Sequence, residues 1–166
     1  MSALVQEREV MGDPKRSVLF VCLGNICRSP IAEAIYCKLL DDRGISHKWV
    51  VDSAATSTYE IGSRPDYRGL ACMKRHGLSS HHIARQVTKR DFETFEFIFG
   101  MDESNMKELS RKAKIAPQSH AKLALLGSYD PQRQHIIHDP YHGEDADFES
   151  VFEQCQRCCT AFLDSL

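Results

Sequence analysis

Short apolar runs recur along this chain and alternate with amphipathic stretches. The runs VLFVC at 18–22, WVVDSA at 49–54, FEFIFGMD at 95–102 and KLALL at 122–126 predict strands. The first run is continuously apolar and rich in β-branched residues, which is typical of a strand buried on both faces of a parallel sheet. We therefore expect four strands, with the first covered on both faces.

Helices are predicted between these strands, at residues 30–44, 65–77 and 103–113. Pro30 suits the first position of the first helix, because its missing N–H is unpaired there in any case. Asp145 is well placed to cap the last helix of the chain. The apolar residues of that last helix repeat at steps of three and four: Phe148, Val151, Phe152, Cys155, Cys159, Phe162, Leu163 and Leu166.

The alternation of strands and helices predicts one α/β domain at 17–166, with a twisted parallel sheet of four strands and helices on both faces. Residues 1–16 are polar and aperiodic, and we expect a disordered arm there. Ligands of such sheets bind beyond the carboxyl ends of the strands. The loop after the first strand is therefore the place to look for chemistry.

Composition excludes several classes of partner. The 166 residues carry 21 basic and 23 acidic side chains, a net charge of -2, so no global field attracts nucleic acid. No apolar run approaches the roughly 20 residues that cross a bilayer, and the charged start lacks the apolar segment of a signal peptide. Seven cysteines, several at helical core spacing, predict free thiols in a reducing compartment. We expect a cytoplasmic protein.

The loop at residues 22–28, CLGNICR, has the composition of an anion site. A short turn between a strand end and a helix start can point its backbone N–H groups inward, and the helix dipole adds positive charge. Gly24 and Asn25 tolerate the positive φ angles that such a turn needs. Arg28 can hold two oxygens of one anion bidentately. Phosphate is the predicted occupant.

Cys22 lies at the entrance of this loop, where the same positive groups favour its thiolate at neutral pH. A thiolate beneath a phosphate monoester predicts covalent phosphoryl transfer. That reaction also needs an acid for the leaving group and a base for the attacking water. Asp139 in HDPYHG is the candidate, because Pro140 pushes it into an extended conformation from which its carboxyl group can project.

Several motifs together resemble the low-molecular-weight protein tyrosine phosphatases: VCLGNICRSPIAEA, VDSAAT, MDESN, LLGSYDP and DPYHG. The resemblance runs from about residue 17 to the end of the chain and implies the same four-stranded fold. It also implies the nucleophile Cys22, the phosphate clamp Arg28 and the acid and base Asp139, with no metal or organic cofactor. The implied supporting network, with Ser29 donating a hydrogen bond to the Cys22 sulfur, comprises Ser29, Asn25, Ser53 and His82.

The resemblance further implies a slot that is deep enough for a phenyl ring and favours phosphotyrosine over phosphoserine. Its partners would be phosphotyrosine-containing proteins, inorganic phosphate and oxyanion inhibitors, and we expect a monomer. Many members have a second tyrosine where this chain has His142, so specificity at the rim is open. The implied walls are Leu23, Ile26, Trp49, Tyr59, Glu60 and Tyr141.

Three features allow more than one interpretation. Cys27 either packs beneath the loop or, as the family implies, forms a reversible disulfide with Cys22 under peroxide. The motif CQRCC at 155–159 could suggest zinc, although core packing of the last helix is favoured because no second paired motif exists. Asp102 follows the third strand, where either a functional role or a helix cap is reasonable.

Two other functions compete with a cytoplasmic phosphatase that acts through a phosphocysteine. Arsenate reduction can use a similar loop but needs a further accessible cysteine, whereas the remaining cysteines are predicted to be helical and buried. A phosphotyrosine-binding module would have no use for both a thiol and a distant acid.

Overall fold

The computed structural model describes residues 15–166. Every predicted strand and helix is present, and one short helix was not predicted. Two short 3-10 turns, Ser46–Lys48 and Leu126–Tyr129, flank the sheet. The elements are β1 (Arg16–Cys22), α1 (Arg28–Asp42), β2 (Trp49–Ala55), α2 (Tyr67–Arg75), α3 (Lys89–Thr94), β3 (Phe97–Gly100), α4 (Glu103–Lys114), β4 (Lys122–Leu125) and α5 (Asp145–Asp164).

The four strands form one parallel sheet, as predicted, and the structure shows their order to be β2-β1-β3-β4. The chain leaves β1 toward β2 on one side and later returns to β3 on the other side. Strand order therefore reverses at β1, and the loops that follow β1 and β3 separate there. Cys22, the last residue of β1, lies at this crevice, paired with Ala55 of β2.

Alternate residues of β1 enter two separate cores. Val18 and Phe20 pack against α1 and α5, whereas Leu19 and Val21 pack with residues of α3 and α4. All four side chains are fully buried. Helices therefore cover both faces of the sheet, which confirms the fold class and explains why the β1 run contains no polar residue.

The larger core is dominated by aromatic rings around Phe162 of α5. Its ring meets Phe99 at 4.8 Å and Tyr36 at 5.7 Å between centroids, both edge to face. The side chains of Cys155, Cys158 and Cys159 are fully buried in this core. Core packing of the CQRCC motif is thus confirmed. Leu166 was predicted to continue the apolar stripe of this helix, but it lies beyond the end of α5 and is 47% exposed.

Several boundaries differ from the predictions by one or two residues. β1 begins at Arg16, two residues before the predicted run, and Glu96 accepts a hydrogen bond from Arg16 Nε at 3.1 Å. Residues 1–14 of the predicted arm lie outside the described residues. α1 begins at Arg28, so Pro30 occupies its third position, still within the turn whose N–H groups are unpaired. Asp145 is the first residue of α5 and does not cap it.

Glu144 is the residue that caps α5, and its amide donates to Asp147 Oδ2 at 2.7 Å. The helix that was not predicted, α3, has a comparable start. There the Asp91 amide donates to Thr88 Oγ1 at 3.2 Å and the Thr88 amide donates to Asp91 Oδ2 at 2.7 Å. This reciprocal pair is visible in the sequence TKRD. The helix was missed because it has only 6 residues, too few to show an apolar repeat.

Within residues 15–166, no helix is both long enough and apolar enough to cross a membrane.

Candidate active site

The loop after β1 turns its carbonyl groups outward. Three of them accept hydrogen bonds from surrounding backbone amides: Cys22 from Thr56 at 2.9 Å, Leu23 from Ser57 at 3.1 Å and Ile26 from Asp66 at 2.8 Å. In a trans peptide the next N–H points the opposite way, so the amides of Leu23, Gly24 and Cys27 face the inside of the loop. Those three amides have no hydrogen-bond acceptor within residues 15–166.

One loop amide is directed at the sulfur itself, because Asn25 N–H donates to Cys22 Sγ at 3.3 Å. Asn25 has a φ of 60°, which confirms that the turn needs a left-handed residue there. Gly24, the other residue expected to supply positive φ, does not adopt it. The loop therefore forms the predicted concave nest with one left-handed residue instead of two.

Arg28, at the start of α1, is buried with only 2% of its side chain exposed. Its Nη1 donates to Asp102 Oδ2 at 2.7 Å and to the Ile137 carbonyl at 2.9 Å, and its Nη2 lies 3.7 Å from Asp139 Oδ2. Burial alone would lower the pKa of Arg28, but the charges of Cys22, Asp102 and Asp139 raise it. Its buried Nε has no hydrogen-bond partner among the described residues, so this N–H is available to an anion.

The four residues of the predicted supporting network are in contact. Ser29 Oγ lies 3.0 Å from Cys22 Sγ, and Asn25 Nδ2 donates to Ser29 Oγ at 2.8 Å and to Ser53 Oγ at 2.9 Å. His82 Nε2 donates to Asn25 Oδ1 at 2.6 Å. Because Ser29 Oγ accepts from Asn25, its own proton is available to the Cys22 sulfur.

A further layer behind this network was not predicted. Ser53 Oγ donates to Glu33 Oε1 at 2.6 Å, and the Arg85 amide donates to Asn25 Oδ1 at 3.1 Å. Burial and the charge of Asp52 raise the pKa of Glu33 to about 7, against the lowering effect of the Ser53 hydrogen bond. Glu33 lies on the α1 face next to β2, and only the packing of those two elements brings it to Ser53.

Asp139 projects from the loop between the last 3-10 turn and α5, with 41% of its side chain exposed. Its Oδ1 accepts a hydrogen bond from the Tyr141 amide at 3.1 Å, which sets the side chain in a local turn. Cys22, Arg28 and Asp139 line one cavity of about 240 Å³. The candidate nucleophile, phosphate clamp and acid are thus brought together across more than 110 residues of sequence.

Five of the six predicted wall residues line this cavity: Leu23, Ile26, Tyr59, Glu60 and Tyr141. Trp49 does not, and its prediction as a wall is wrong. It begins β2 and pairs with Arg16, whereas the cavity lies at Cys22, six residues and roughly 20 Å further along the strands. Trp49 is instead buried in the aromatic core. His142 and Gly24 also line the cavity and were not predicted as walls.

Asp102 combines both of the roles that the sequence left open. Its Oδ1 accepts the Asn105 amide at 2.8 Å and so caps α4, while its Oδ2 accepts from Arg28 at 2.7 Å. One carboxylate thus starts a helix and holds the guanidinium of the loop. The signal in the sequence was its position at the end of a predicted parallel strand, where functional residues often lie. The structure adds that β3 lies beside β1 in the sheet.

All seven cysteines are free thiols, as expected. Cys27 is buried beside the cavity, and burial together with the charge of Asp66 raises the pKa of its thiol. Cys72 is buried, but Cys37 is exposed, so the prediction that the remaining cysteines are all buried is wrong. Cys37 lies nine residues into α1, about 13 Å along the helix from the loop.

Two groups of side chains in residues 15–166 offer metal-ligand atoms within 4.8 Å of one another: Glu33 with Asp52 and His82, and Cys72 with His76 and Glu149. Protein groups already engage these atoms. Glu149 accepts from Arg75 Nε and pairs with His76 Nε2, each at 2.7 Å. Hydrogen bonds and ion pairs therefore account for both groups.

The sequence of this chain is similar to those of known proteins. Residues 17–166 match the family described as low molecular weight phosphotyrosine protein phosphatase. A human protein of that name is 64% identical over 149 residues, covering 90% of this chain and 94% of its own length, and a chicken protein of that name is 63% identical over the same coverage. The chain belongs to this family.

Solved structures agree with this assignment. The crystal structure of Primo-1 superposes with a TM-score of 0.84 at 43% identity, covering 90% of this chain and 97% of that one. A protein tyrosine phosphatase from Entamoeba histolytica superposes with a TM-score of 0.86 at 32% identity, covering 91% and 96%. Catalysis by a cysteine is the general property of these low-molecular-weight phosphatases.

In this member of the family, a histidine completes the rim of the cavity. The His142 ring meets the Tyr141 ring edge to face, with centroids 5.0 Å apart. Both side chains line the cavity beside Asp139. The rim therefore presents one aromatic phenol and one imidazole to an incoming substrate.

Proposed function

We propose that this phosphatase hydrolyses phosphotyrosine in proteins through a phosphocysteine at Cys22. One observation carries the proposal: Cys22, Arg28 and Asp139 line a single cavity whose floor is a ring of inward amides. Such amides and a buried guanidinium bind the equatorial oxygens of a phosphoryl group and stabilise their charge in the transition state.

In the first step, the Cys22 sulfur attacks phosphorus in line, the S–P bond forms and the P–O bond to the tyrosine ring breaks. Asp139 gives its proton to the departing phenolate oxygen, which a poor leaving group needs. Ser29, 3.0 Å from Cys22 Sγ, donates a hydrogen bond to the sulfur.

In the second step, the Asp139 carboxylate takes a proton from a water molecule whose oxygen attacks the phosphorus. The S–P bond breaks, so the products are inorganic phosphate, the Cys22 thiolate and protonated Asp139. The same group thus serves as acid and then as base, as microscopic reversibility requires.

The shape of the cavity supports phosphotyrosine as the substrate. Leu23, Ile26 and Tyr141 offer apolar walls to a flat ring, and Cys22, which also lines the cavity, is only 2% exposed. A phosphoserine is too short to place its phosphate there. A Drosophila arginine phosphatase is also structurally similar, with a TM-score of 0.85 at 40% identity, so phosphoarginine is the substrate against which this choice is tested.

Inorganic phosphate and other tetrahedral oxyanions are expected to bind the same loop and inhibit. The cytoplasmic location and the monomeric state stay predictions from the sequence.

The deciding experiment measures phosphate release from peptides that differ only in the modified residue: phosphotyrosine, phosphoserine, phosphothreonine and phosphoarginine. We expect turnover of the phosphotyrosine peptide alone and none by Cys22→Ser, with a phosphoenzyme trapped by rapid acid quench of the wild type. Faster release from phosphoarginine would replace the proposed substrate.

Two further outcomes would replace the reaction itself. If the wild type binds phosphotyrosine peptides as tightly as Cys22→Ser but releases no phosphate, the protein is a binding module. If arsenate drives oxidation of thioredoxin while p-nitrophenyl phosphate is not turned over, the protein is an arsenate reductase.

A further inference from the structure

The loop that carries Asp139 is held firmly on its N-terminal side. The Ile137 amide donates to the Met101 carbonyl at 2.9 Å, and the Ile137 carbonyl accepts from Arg28 Nη1 at 2.9 Å. Both partners belong to the strand ends and loops of the catalytic crevice. This side of the loop is therefore tied directly to the sheet.

On the C-terminal side of Asp139, the long-range hydrogen bonds come from one side chain of α2. Arg68 Nη2 donates to the Tyr141 carbonyl at 2.8 Å, and Arg68 Nη1 donates to the Gly143 carbonyl at 3.0 Å. These two carbonyls flank His142. The other hydrogen bonds of the segment stay within it, such as that from the Gly143 amide to the Pro140 carbonyl at 2.9 Å.

Arg68 is itself fixed by Asp66, the residue that caps α2. Arg68 Nε donates to Asp66 Oδ1 and Arg68 Nη2 to Asp66 Oδ2, each at 3.1 Å. The side chains are only 17% and 10% exposed, so water competes little for these bonds. Asp66 also donates its amide to the Ile26 carbonyl of the phosphate loop at 2.8 Å.

These contacts form one continuous connection between the two catalytic loops. It runs from Ile26 of the phosphate loop through Asp66 and Arg68 to Tyr141, whose amide holds Asp139 Oδ1 at 3.1 Å. The connection is separate from the contact between Arg28 Nη2 and Asp139 Oδ2, and it ties the segment after Asp139 to the loop that holds the sulfur. It therefore restrains the distance between the acid and the sulfur.

The chemistry of arginine suits this position. Arg68 uses Nε and both terminal nitrogens at once, for one carboxylate and two carbonyls. The guanidinium also lies 4.6 Å from the centroid of the Phe148 ring, which restricts its rotation. Lysine has one nitrogen on a flexible stem and cannot serve these separated acceptors together.

We propose that Arg68, fixed by Asp66, is a positioning residue that holds Asp139 at the distance needed to protonate the leaving group. This inference rests on the proposed function, because it assigns Arg68 a role only through the acid. It makes Arg68 important for substrates whose leaving group requires a proton and unimportant for those whose leaving group does not.

The test compares kcat/KM for phosphotyrosine and for 2,4-dinitrophenyl phosphate, whose leaving group departs without a proton. For Arg68→Lys we expect about a tenfold loss on phosphotyrosine and less than about a twofold change on the dinitrophenyl ester. Asp66→Asn keeps a capping side chain but weakens the guanidinium contact, so the same pattern is expected with a smaller loss.

Arg75→Lys is the matched control. Arg75 lies on α2, as Arg68 does, and its Nε donates to Glu149 of α5 at 2.7 Å. Unlike Arg68, it makes no hydrogen bond to the loop that carries Asp139. We expect Arg75→Lys to leave both substrates within about twofold of the wild type. Thermal unfolding of each variant shows whether all remain folded at the assay temperature.

A double substitution separates positioning from a general structural effect. In the Asp139→Asn background, Arg68→Lys should cause no further loss on phosphotyrosine, because the group that it positions is already disabled. Additive losses, or equal losses on both substrates in the Arg68→Lys single variant, would overturn the positioning role. The Asp139→Asn single variant tests the proposed function independently: equal loss on both substrates there would remove the acid role itself.

Discussion

Replacing Asp102 by asparagine separates what that carboxylate does for stability from what it does for anion binding. Asn keeps a side-chain oxygen for the Asn105 amide and is an equally good helix cap, so α4 should start normally. The change removes the negative charge 2.7 Å from Arg28 Nη1. Arg28 is then left buried with the Ile137 carbonyl and the more distant Asp139.

The expected cost follows from the burial of the two partners. Breaking a fully buried ion pair by removing one member costs about 3 to 5 kcal/mol. Here the Asp102 side chain is 25% exposed, against 2% for Arg28, so water can partly replace it. We expect a loss of about 2 kcal/mol in the free energy of unfolding, or about 4 to 8 °C in Tm for a domain of this size.

Phosphate binding should become tighter in Asp102→Asn, although the stability of the fold decreases. Without Asp102 the positive charge of Arg28 is less neutralised, so phosphate should bind about fivefold more tightly, which is about 1 kcal/mol. Saturating phosphate would then raise the Tm of Asp102→Asn more than that of the wild type, by about 2 to 4 °C. Calorimetric or fluorescence melts with and without phosphate at pH 7 measure both effects.

Asp130→Asn serves as the control for this experiment. Asp130 is a buried carboxylate that accepts from Arg157 Nε at 3.0 Å, and neither residue lines the catalytic cavity. It should lose stability without any change in the phosphate-dependent increase of Tm. If Asp102→Asn loses less than about 0.5 kcal/mol, or if phosphate stabilises it no more than the wild type, our reasoning about this ion pair is wrong.

Three further predictions follow from named contacts. Hydrogen bonds from Arg157 hold the pKa of Asp130 below its usual 3.8, so its contribution to stability is present above that pH and is lost as pH falls through the lower, folded-state pKa. The difference between the urea midpoints of wild type and Asp130→Asn should therefore be constant from pH 7 down to about pH 5 and should shrink as pH falls below 3.8. Asn25→Gly and Asn25→Ala both lose the amide bridge and at least about tenfold in kcat, but the φ of 60° makes the alanine variant less stable by about 1 to 2 kcal/mol in denaturant titrations. Peroxide should inactivate Cys27→Ser irreversibly, whereas dithiothreitol restores the wild type, in which the Cys27 thiol displaces hydroxide from oxidised Cys22 to form a disulfide; equal recovery of both would remove Cys27 as the redox partner.

The sequence alone determined the chemistry of the phosphate loop, for a local reason. Cys22 and Arg28 belong to one turn between a strand and a helix, so their spacing and the left-handed Asn25 between them already constrain the geometry. The four strands were equally readable, because a sheet covered on both faces requires continuous apolar runs. Asp139 was assigned with the help of the resemblance, since nothing local places it over the sulfur.

Only the tertiary structure decided which distant side chains complete the site. Asp102 reaches Arg28 because β3 lies beside β1, and strand order is not written in the pattern of either strand. Trp49, which the resemblance implied as a wall, was misplaced: the register of β1 against β2 puts it beside Arg16, at the end of the sheet away from Cys22. Arg68 joins the two catalytic loops through hydrogen bonds to carbonyl groups, which any residue offers, so the positions of its acceptors depend on how α2 packs against the loop before α5.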